Sequence, residues 1–528
     1  ENVIVAAGDS LHVMDELHWN TRLERGYYLV SLADGGRTPL MTGIQNKVDR
    51  CAELSPTGAW VVCHRLESDG RISVLSYEVA TGRWREPNRN IAEDWRIDAN
   101  GVKEIRFRAF PVLWLRNDSS ALFETPYDLW LLDMTGKHAP VNVTNGYGRR
   151  HRIRFELVKE VGLEGGQLIL KALDEGTRER GFYRATMNGG GDPRRLSMGP
   201  YVYDYESMGR TPVRRAHNAE RYLIRRMSIN ESGWVVTEDF RAFKPVAMVH
   251  PHREFNWMTA ELVTWKTFDG QTGEGILYKP ENFDPKRKYP LIIHYYETLT
   301  DNLHKYIKPE MTSADLNVTY FASNGYLVFT PDIRYKLGSP GESAYNFVVS
   351  AAQHLATLPY VNESRMGLQG HSFGGYQTVY LVTRTDLFAA ACAFAPVVDL
   401  MAQYTGAFRG SYSMYIAEMS QERIGVTPWE NPEAYIENSP VWRLDKVTTP
   451  MLVVHNKQDH VVAYSQGLQL FSSLRRLDKK AWLLSYDGEH HGLDREENSR
   501  DFTLRLHQFF DHYLKGGPPP EWMSPRVQ

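Results

Sequence analysis

Apolar and polar positions change their rhythm partway along the chain. Up to about residue 255, runs of apolar and aromatic residues ending in a polar turn recur at Tyr27-Tyr28-Leu29-Val30-Ser31-Leu32, Val74-Leu75-Ser76-Tyr77-Glu78-Val79, Leu129-Trp130-Leu131-Leu132-Asp133 and Phe182-Tyr183-Arg184-Ala185-Thr186-Met187. Runs of this length bounded by turn residues predict strands. Their spacing of roughly 45 to 55 residues is that of propeller blades, each a four-stranded sheet. Leu54-Ser55-Pro56-Thr57-Gly58-Ala59-Trp60 resembles the turn that opens a blade strand, and at this spacing residues 1–255 hold about five blades.

Beyond His250-Pro251-His252-Arg253 the pattern alternates strands with helices. The β-rich Ala260–Thr267 and the turn Asp269-Gly270 come first; Tyr326–Thr330 then precedes a helix-like stretch from Glu342 to Leu358. Such alternation predicts a mostly parallel sheet covered on both faces. The expected fold is therefore α/β in residues 256–528, preceded by an all-β domain in residues 1–255, with the tail Gly516-Gly517-Pro518-Pro519-Pro520 closing the fold.

Within the α/β part, Gly370-His371-Ser372-Phe373-Gly374-Gly375 follows the apolar Met366-Gly367-Leu368 and precedes the helix-like Tyr376–Val382. Strand, sharp turn and helix are what a nucleophile elbow requires. Small neighbours let the backbone take the strained turn that projects the serine hydroxyl, and the helix that follows aims N–H groups at developing negative charge. A glycine-rich turn with a serine is common by itself, so the weight rests on the partners. In α/β-hydrolases the serine is followed by an acid and then a histidine, each in a loop after a strand. Met451–His455 leads into Asn456-Lys457-Gln458-Asp459, and Ala481–Tyr486 leads into Asp487-Gly488-Glu489-His490-His491-Gly492. Asp459 is the expected acid, with Asp487 a rival in the histidine loop; of the adjacent His490 and His491, the small Gly492 favours His491. His455 is expected to pack or hydrogen-bond within the strand end.

These segments, with Tyr289-Pro290-Leu291-Ile292-Ile293-His294-Tyr295-Tyr296-Glu297, resemble the prolyl oligopeptidase family of serine peptidases, in which an α/β-hydrolase domain follows a β-propeller. The resemblance spans most of residues 257–517. It implies Ser372 as nucleophile, Asp459 as acid and His491 as base, and it implies an oxyanion site built from the Tyr296 hydroxyl and the Phe373 backbone N–H. Two fixed donors aimed at the tetrahedral oxygen are what acyl transfer needs. Without the family, Tyr295 and Tyr296 are both strand aromatics, and alternation decides which one faces the site. Val397 and Val462 match positions that wall the substrate pocket, and read equally well as core valines. The strand before the acid ends His455-Asn456 where the family has His-Gly. Val461 stands where some relatives place Arg or Asn to hold a substrate carbonyl, so substrate anchoring differs there. Tyr404, Phe408, Tyr412 and Tyr415 have helical spacing and hint at an apolar or aromatic pocket.

Composition narrows the remaining classes. The 528 residues are 42% hydrophobic and 24% charged with a formal charge of -3, ordinary for a globular protein and giving no reason to expect nucleic acid as partner. No apolar run reaches the length of a membrane span. Cys51, Cys63 and Cys392 offer neither a disulfide framework nor a zinc pattern, and Cys51 and Cys63 read as small apolar residues on neighbouring strands rather than a pair. No metal and no organic cofactor is expected. The chain begins at Glu1 without methionine. The reading expects lost early blades, a separate N-terminal chain completing the propeller, and a periplasmic or secreted protein rather than a cytoplasmic one.

The expected activity is hydrolysis of short peptides through an acyl-enzyme on Ser372. An esterase is the alternative within the same chemistry, and a catalytically idle propeller-based binding protein the alternative outside it. Residues 1–255 contain no adjacent Glu-Glu of the kind that dipeptidyl peptidases use to hold a substrate amine.

Overall fold

The computed structural model describes residues 2–8, 20, 24–45, 52–99, 102–104, 110–161, 164–203, 213–406 and 413–524. The chain divides into two compact units, Glu1–Ala99 with Lys103–His250 and Asn100–Val102 with Pro251–Gln528.

Among its described residues the first unit holds five antiparallel sheets of three or more strands, in chain order of three, four, four, four and five, and a two-stranded sheet of Ile97–Ala99 and Val102–Glu104 falls between the second and third in sequence. The runs at Val74, Leu129 and Phe182 form the third strand of the second, third and fourth sheets, over Ile72–Glu78, Leu129–Asp133 and Arg180–Thr186. Each of the middle three of these five sheets shares one apolar cluster with the sheet before it and another with the sheet after it. Along Trp60–Leu66, Val61 and Cys63 join Tyr27, Leu29 and Leu40 of the first sheet, while Trp60 and Val62 join Ala121, Phe123 and Leu132 of the third. Leu122 then joins Phe155, Leu168 and Leu170 of the fourth sheet, and Ile169 and Phe182 join Tyr222, Ile224 and Val235 of the fifth. Successive side chains of a strand point to opposite faces. A strand covered on both faces must therefore be apolar at odd and even positions alike, which is why these runs lack polar alternation. Cys63 is buried in this stack; the reading of Cys51 beside it falls outside the described residues.

The second unit is an α/β layer structure. Among the described residues its eight strands are β1 (Met258–Lys266), β2 (Thr272–Pro280), β3 (Tyr289–His294), β4 (Leu327–Pro331), β5 (Val361–His371), β6 (Ala390–Phe394), β7 (Met451–Val454) and β8 (Ala481–Leu484). They pair in the order β1-β2-β4-β3-β5-β6-β7-β8. The pairs of β2 are antiparallel, and every pair from β4 to β8 is parallel. The helices are α1 (Val318–Ser323), α2 (Pro340–Ala356), α3 (Phe373–Val382), α4 (Leu400–Thr405), α5 (Ser413–Met419), α6 (Pro432–Asn438), α7 (Tyr464–Arg476) and α8 (Glu496–Phe510).

One face of the sheet, through Leu291, Ile293, Leu368, Ala391 and Val453, packs on α2, α3 and α7. The other face meets α8, where Phe394 lies edge-on to Phe502 at 5.4 Å and Leu514 closes on Gly367. The central strands β3, β4, β6 and β7 are thus apolar almost throughout, as burial on both faces demands, and β5 is buried from Met366 to Gly370. Strand β5 begins five residues before the apolar Met366, because Asn362 to Arg365 are polar and carry no apolar signal. Helix α2 starts at Pro340, whose fixed φ and missing N–H suit the first helical position, with Glu342 in the first turn.

Candidate active site

The C-terminal ends of β5, β7 and β8 carry the three residues that meet. Ser372 stands between β5 and α3 at φ 59° and ψ −118°, a left-handed conformation that costs energy in a residue with a Cβ. Neighbouring glycines make room for it. A Cβ on Gly370 would lie 2.2 Å from the Gly374 carbonyl oxygen, and a Cβ on Gly374 would lie 2.7 Å from that of Tyr295. The turn is pinned by the Ser372 N–H donating to the Phe394 carbonyl at 2.8 Å, and by the Tyr376 N–H donating to the Ser372 carbonyl at 3.0 Å.

His491 Nε2 lies 2.8 Å from Ser372 Oγ, and His491 Nδ1 lies 2.8 Å from Asp459 Oδ2. The neighbouring His490 turns its Nδ1 to the Gln458 carbonyl at 3.0 Å, away from the serine. Asp487 is exposed and pairs with Lys457 at 3.3 Å. Asp459 is buried, and its Oδ1 accepts from the backbone of Val461 at 2.8 Å and Val462 at 2.9 Å. Burial works against its charge, but hydrogen bonds from His455, His491 and the Val462 amide outweigh it and hold the carboxyl well below the usual range. His455 has Nε2 within 3.1 Å of the Val462 carbonyl and 3.4 Å of Asp459 Oδ2.

Two further contacts fix the histidine loop. His371 Nε2 donates to the His491 carbonyl at 2.8 Å. Asn456 Nδ2 donates to the His490 carbonyl at 2.9 Å, and Asn456 Oδ1 accepts from the Tyr486 amide at 3.1 Å. Glu489 caps the start of α8, accepting from the amides of Asp494 at 2.8 Å and Arg495 at 3.1 Å.

The two tyrosines after β3 face opposite ways. The Tyr295 hydroxyl is buried against Thr378 Oγ1 at 2.9 Å. The Tyr296 hydroxyl accepts from Gln421 Nε2 at 2.9 Å and interacts with Ser372; burial raises its pKa, and these two contacts oppose the rise. Phe373 opens α3, so its N–H is one of the first-turn amides with no acceptor inside the helix. Val397 and Val462 are 5% and 3% exposed and belong to the apolar cluster of Phe373, Tyr376 and Leu400. Val461 is 37% exposed, with its backbone on Asp459. Tyr404 packs edge-on against Tyr435 at 5.5 Å and donates to Glu418 at 2.6 Å, while Phe408 and Tyr412 lie outside the described residues. Among the described residues no group of three or more His, Cys, Asp or Glu is arranged to hold a metal ion.

Gln421 and His371 were missed in the sequence as parts of the site. Gln421 lies 125 residues from Tyr296 with no local motif around it, and His371 reads only as the spacer inside the elbow.

The profile of the Prolyl oligopeptidase family matches residues 312–517. Dipeptidyl-peptidase 5 of Porphyromonas endodontalis is 26% identical over 259 residues, which are 46% of this chain and 35% of that protein. Dipeptidyl peptidase 8 of Homo sapiens is 28% identical over 275 residues, 48% of this chain and 28% of that protein. The matched stretch thus spans about a third of the length of these relatives. Among solved structures, a putative dipeptidyl aminopeptidase IV from Bacteroides ovatus superposes with a TM-score of 0.66 at 18% identity, covering 94% of this chain and 70% of that one. That likeness shows a shared fold. The profile match makes residues 312–517, which carry the elbow and the strand ends bearing Asp459 and His491, similar to the prolyl oligopeptidase family.

Proposed function

We propose that the chain is a propeller-plus-α/β-hydrolase serine peptidase that cleaves short peptides through an acyl-enzyme on Ser372. The observation that carries this reading is the unbroken relay from Ser372 Oγ through His491 to the buried Asp459, with both hydrogen bonds at 2.8 Å. His491 Nε2 takes the Ser372 proton as Oγ bonds to the substrate carbonyl carbon, and the carbonyl electron pair moves onto oxygen. Asp459 fixes the imidazole tautomer and stabilises the imidazolium. The Tyr296 hydroxyl and the Phe373 N–H donate to the oxyanion, and removing one such donor typically costs about 100- to 1000-fold in rate. Collapse of the intermediate breaks the C–N bond, and His491 passes its proton to the departing amine. Water then repeats the sequence on the ester, releasing the acid and restoring Ser372. Val397, Val462 and Phe373 wall an apolar pocket for the residue before the scissile bond.

The test is fluorophosphonate labelling of the wild-type chain beside Ser372→Ala, followed by turnover of a peptide library and of p-nitrophenyl esters. Labelling lost in the variant, with cleavage of peptides, supports the reading. Labelling with ester turnover alone points to an esterase, and no labelling of either chain to a binding protein.

A further inference from the structure

Gln421 stands just beyond α5, and its side-chain NH2 donates to the Tyr296 hydroxyl at 2.9 Å. A phenol oxygen has one proton to give and lone pairs with which to accept, whereas an amide nitrogen can only give. The bond therefore occupies a lone pair of Tyr296 and leaves the phenolic proton free to point elsewhere. The hydroxyl also has Ser372 within hydrogen-bonding range.

The segment that carries Gln421 is held to the Tyr296 backbone by a buried cluster. The Arg423 side chain is 2% exposed; its Nη1 meets Glu297 Oε1 at 2.9 Å and the Gln421 carbonyl at 2.5 Å. Its guanidinium lies 4.3 Å over the ring of Tyr335, whose hydroxyl donates to the Tyr296 carbonyl at 3.1 Å. Arg423 also sits at φ 52°, a conformation kept by the Gly338 N–H donating to its carbonyl at 2.7 Å. One cluster thus fixes both ends of Tyr296, the carbonyl through Tyr335 and the hydroxyl through Gln421.

We propose that Gln421 is a positioning residue that turns the Tyr296 hydroxyl proton toward the oxyanion, with the Arg423–Glu297 pair holding Gln421 in register. This rests on the reading of Tyr296 as an oxyanion donor. A carboxylate in place of the amide would accept the phenolic proton and turn it away from the reacting carbonyl. That makes the near-isosteric variant the damaging one, the reverse of what a space-filling role would give.

The experiment compares Gln421→Glu, Gln421→Met, Tyr296→Phe and the Tyr296→Phe/Gln421→Glu double variant in the full chain, with p-nitrophenyl acetate as probe. Near neutral pH, Gln421→Glu should lose about 100-fold in kcat and Gln421→Met about 10-fold, with KM little changed. The Glu variant should recover relative to wild type as the pH falls and its carboxyl protonates, and it should lose nothing further in the Tyr296→Phe background. Wild-type kcat in Gln421→Glu, or equal losses in the Glu and Met variants, while Tyr296→Phe is crippled, would overturn the positioning role alone. Full activity in Tyr296→Phe would overturn the oxyanion reading and the inference with it. If Gln421→Glu does not fold, the kcat loss of Gln421→Met must disappear in the Tyr296→Phe background, or the proposal fails.

Discussion

The side-chain amide of Asn456 donates to the His490 carbonyl at 2.9 Å, joining the end of β7 to the loop that carries His491. Asn456 is fully buried, and its oxygen accepts from Tyr486 at the other end of the same loop. The residue that departs from the family's His-Gly pattern is therefore the clamp between the strand that leads to Asp459 and the loop that carries His491. Asn456→Gly removes these two bonds and a longer one to the Gly492 carbonyl at 3.4 Å, and strands buried backbone groups at a loss of about 1–3 kcal/mol each at most. A lower urea midpoint together with a kcat reduced about 10-fold at unchanged KM is the expected result. A variant with wild-type kcat would show that the loop is set by His371 and the Glu489 cap alone.

The elbow makes a second, steric prediction. A methyl on Gly370 would overlap the Gly374 carbonyl carbon, 2.4 Å away, and the Thr378 hydroxyl, 2.8 Å away. Neither can retreat, since Thr378 Oγ1 is bonded to both the Gly374 carbonyl and Tyr295. Gly370→Ala should therefore cost about 2–4 kcal/mol and at least about 100-fold in fluorophosphonate labelling rate. A folded Gly370→Ala chain that labels at the wild-type rate would contradict the packing at this turn.

How far the sequence reveals this site follows from how local each signal is. Ser372 and Asp459 follow apolar runs that are central strands and His491 follows the apolar edge strand β8, so their order and their placement in loops beyond strand ends are visible without a structure. The choice of His491 over His490 follows from the alternation of a loop anchored by Asn456 and Gln458, of which only Gly492 is a local sign. The runs at Val74, Leu129 and Phe182 are visible because the third strands of the second, third and fourth sheets are largely buried and mostly apolar. Gln421 and Arg423 act across more than 120 residues on Tyr296 and Glu297, in a stretch without helical or strand period. Nothing local distinguishes them from solvated polar residues, and only the burial of Arg423 against Tyr335 shows their part.

Asp459 links the site to acid stability. Its folded carboxyl is held below the unfolded value, so it contributes stability at pH above the unfolded pKa of 3.8 and loses it as the pH falls below that value. Asp459→Asn abolishes this contribution and leaves the imidazole tautomer unfixed. Its kcat should fall about 10 000-fold, and its stability should vary less than that of the wild type below about pH 4. Parallel acid titrations of the two chains, followed by tryptophan fluorescence, make the comparison; identical curves would deny the carboxylate its part in the buried network.

Glu422 points to the opposite pH dependence. It is buried beneath the turn between Gln421 and Arg423, and its Oε2 has no hydrogen-bond partner among the described residues. Its neighbour Arg423 is committed to Glu297, and the nearby Tyr376 and Tyr435, whose own ionisation a Glu422 charge would oppose, stay neutral and offer that charge no counter-ion. Burial pushes the carboxyl from 4.5 up to about 8. Between those values the unfolded chain ionises Glu422 freely while the folded chain keeps the proton, so the unfolded state gains as the pH rises and stability declines until about pH 8, then levels. Glu422→Gln removes the dependence, since a neutral amide has nothing to lose. The variant should melt like the wild type near about pH 5 and at a clearly higher temperature near about pH 9, with a gap on the order of a few kcal/mol. Because the charge would form between the two residues that hold Tyr296, the wild type should also lose kcat above about pH 8 by a step that Glu422→Gln lacks. Equal melting temperatures at both pH values would mean that Glu422 ionises in place without cost, and that water or a shift of the turn reaches it.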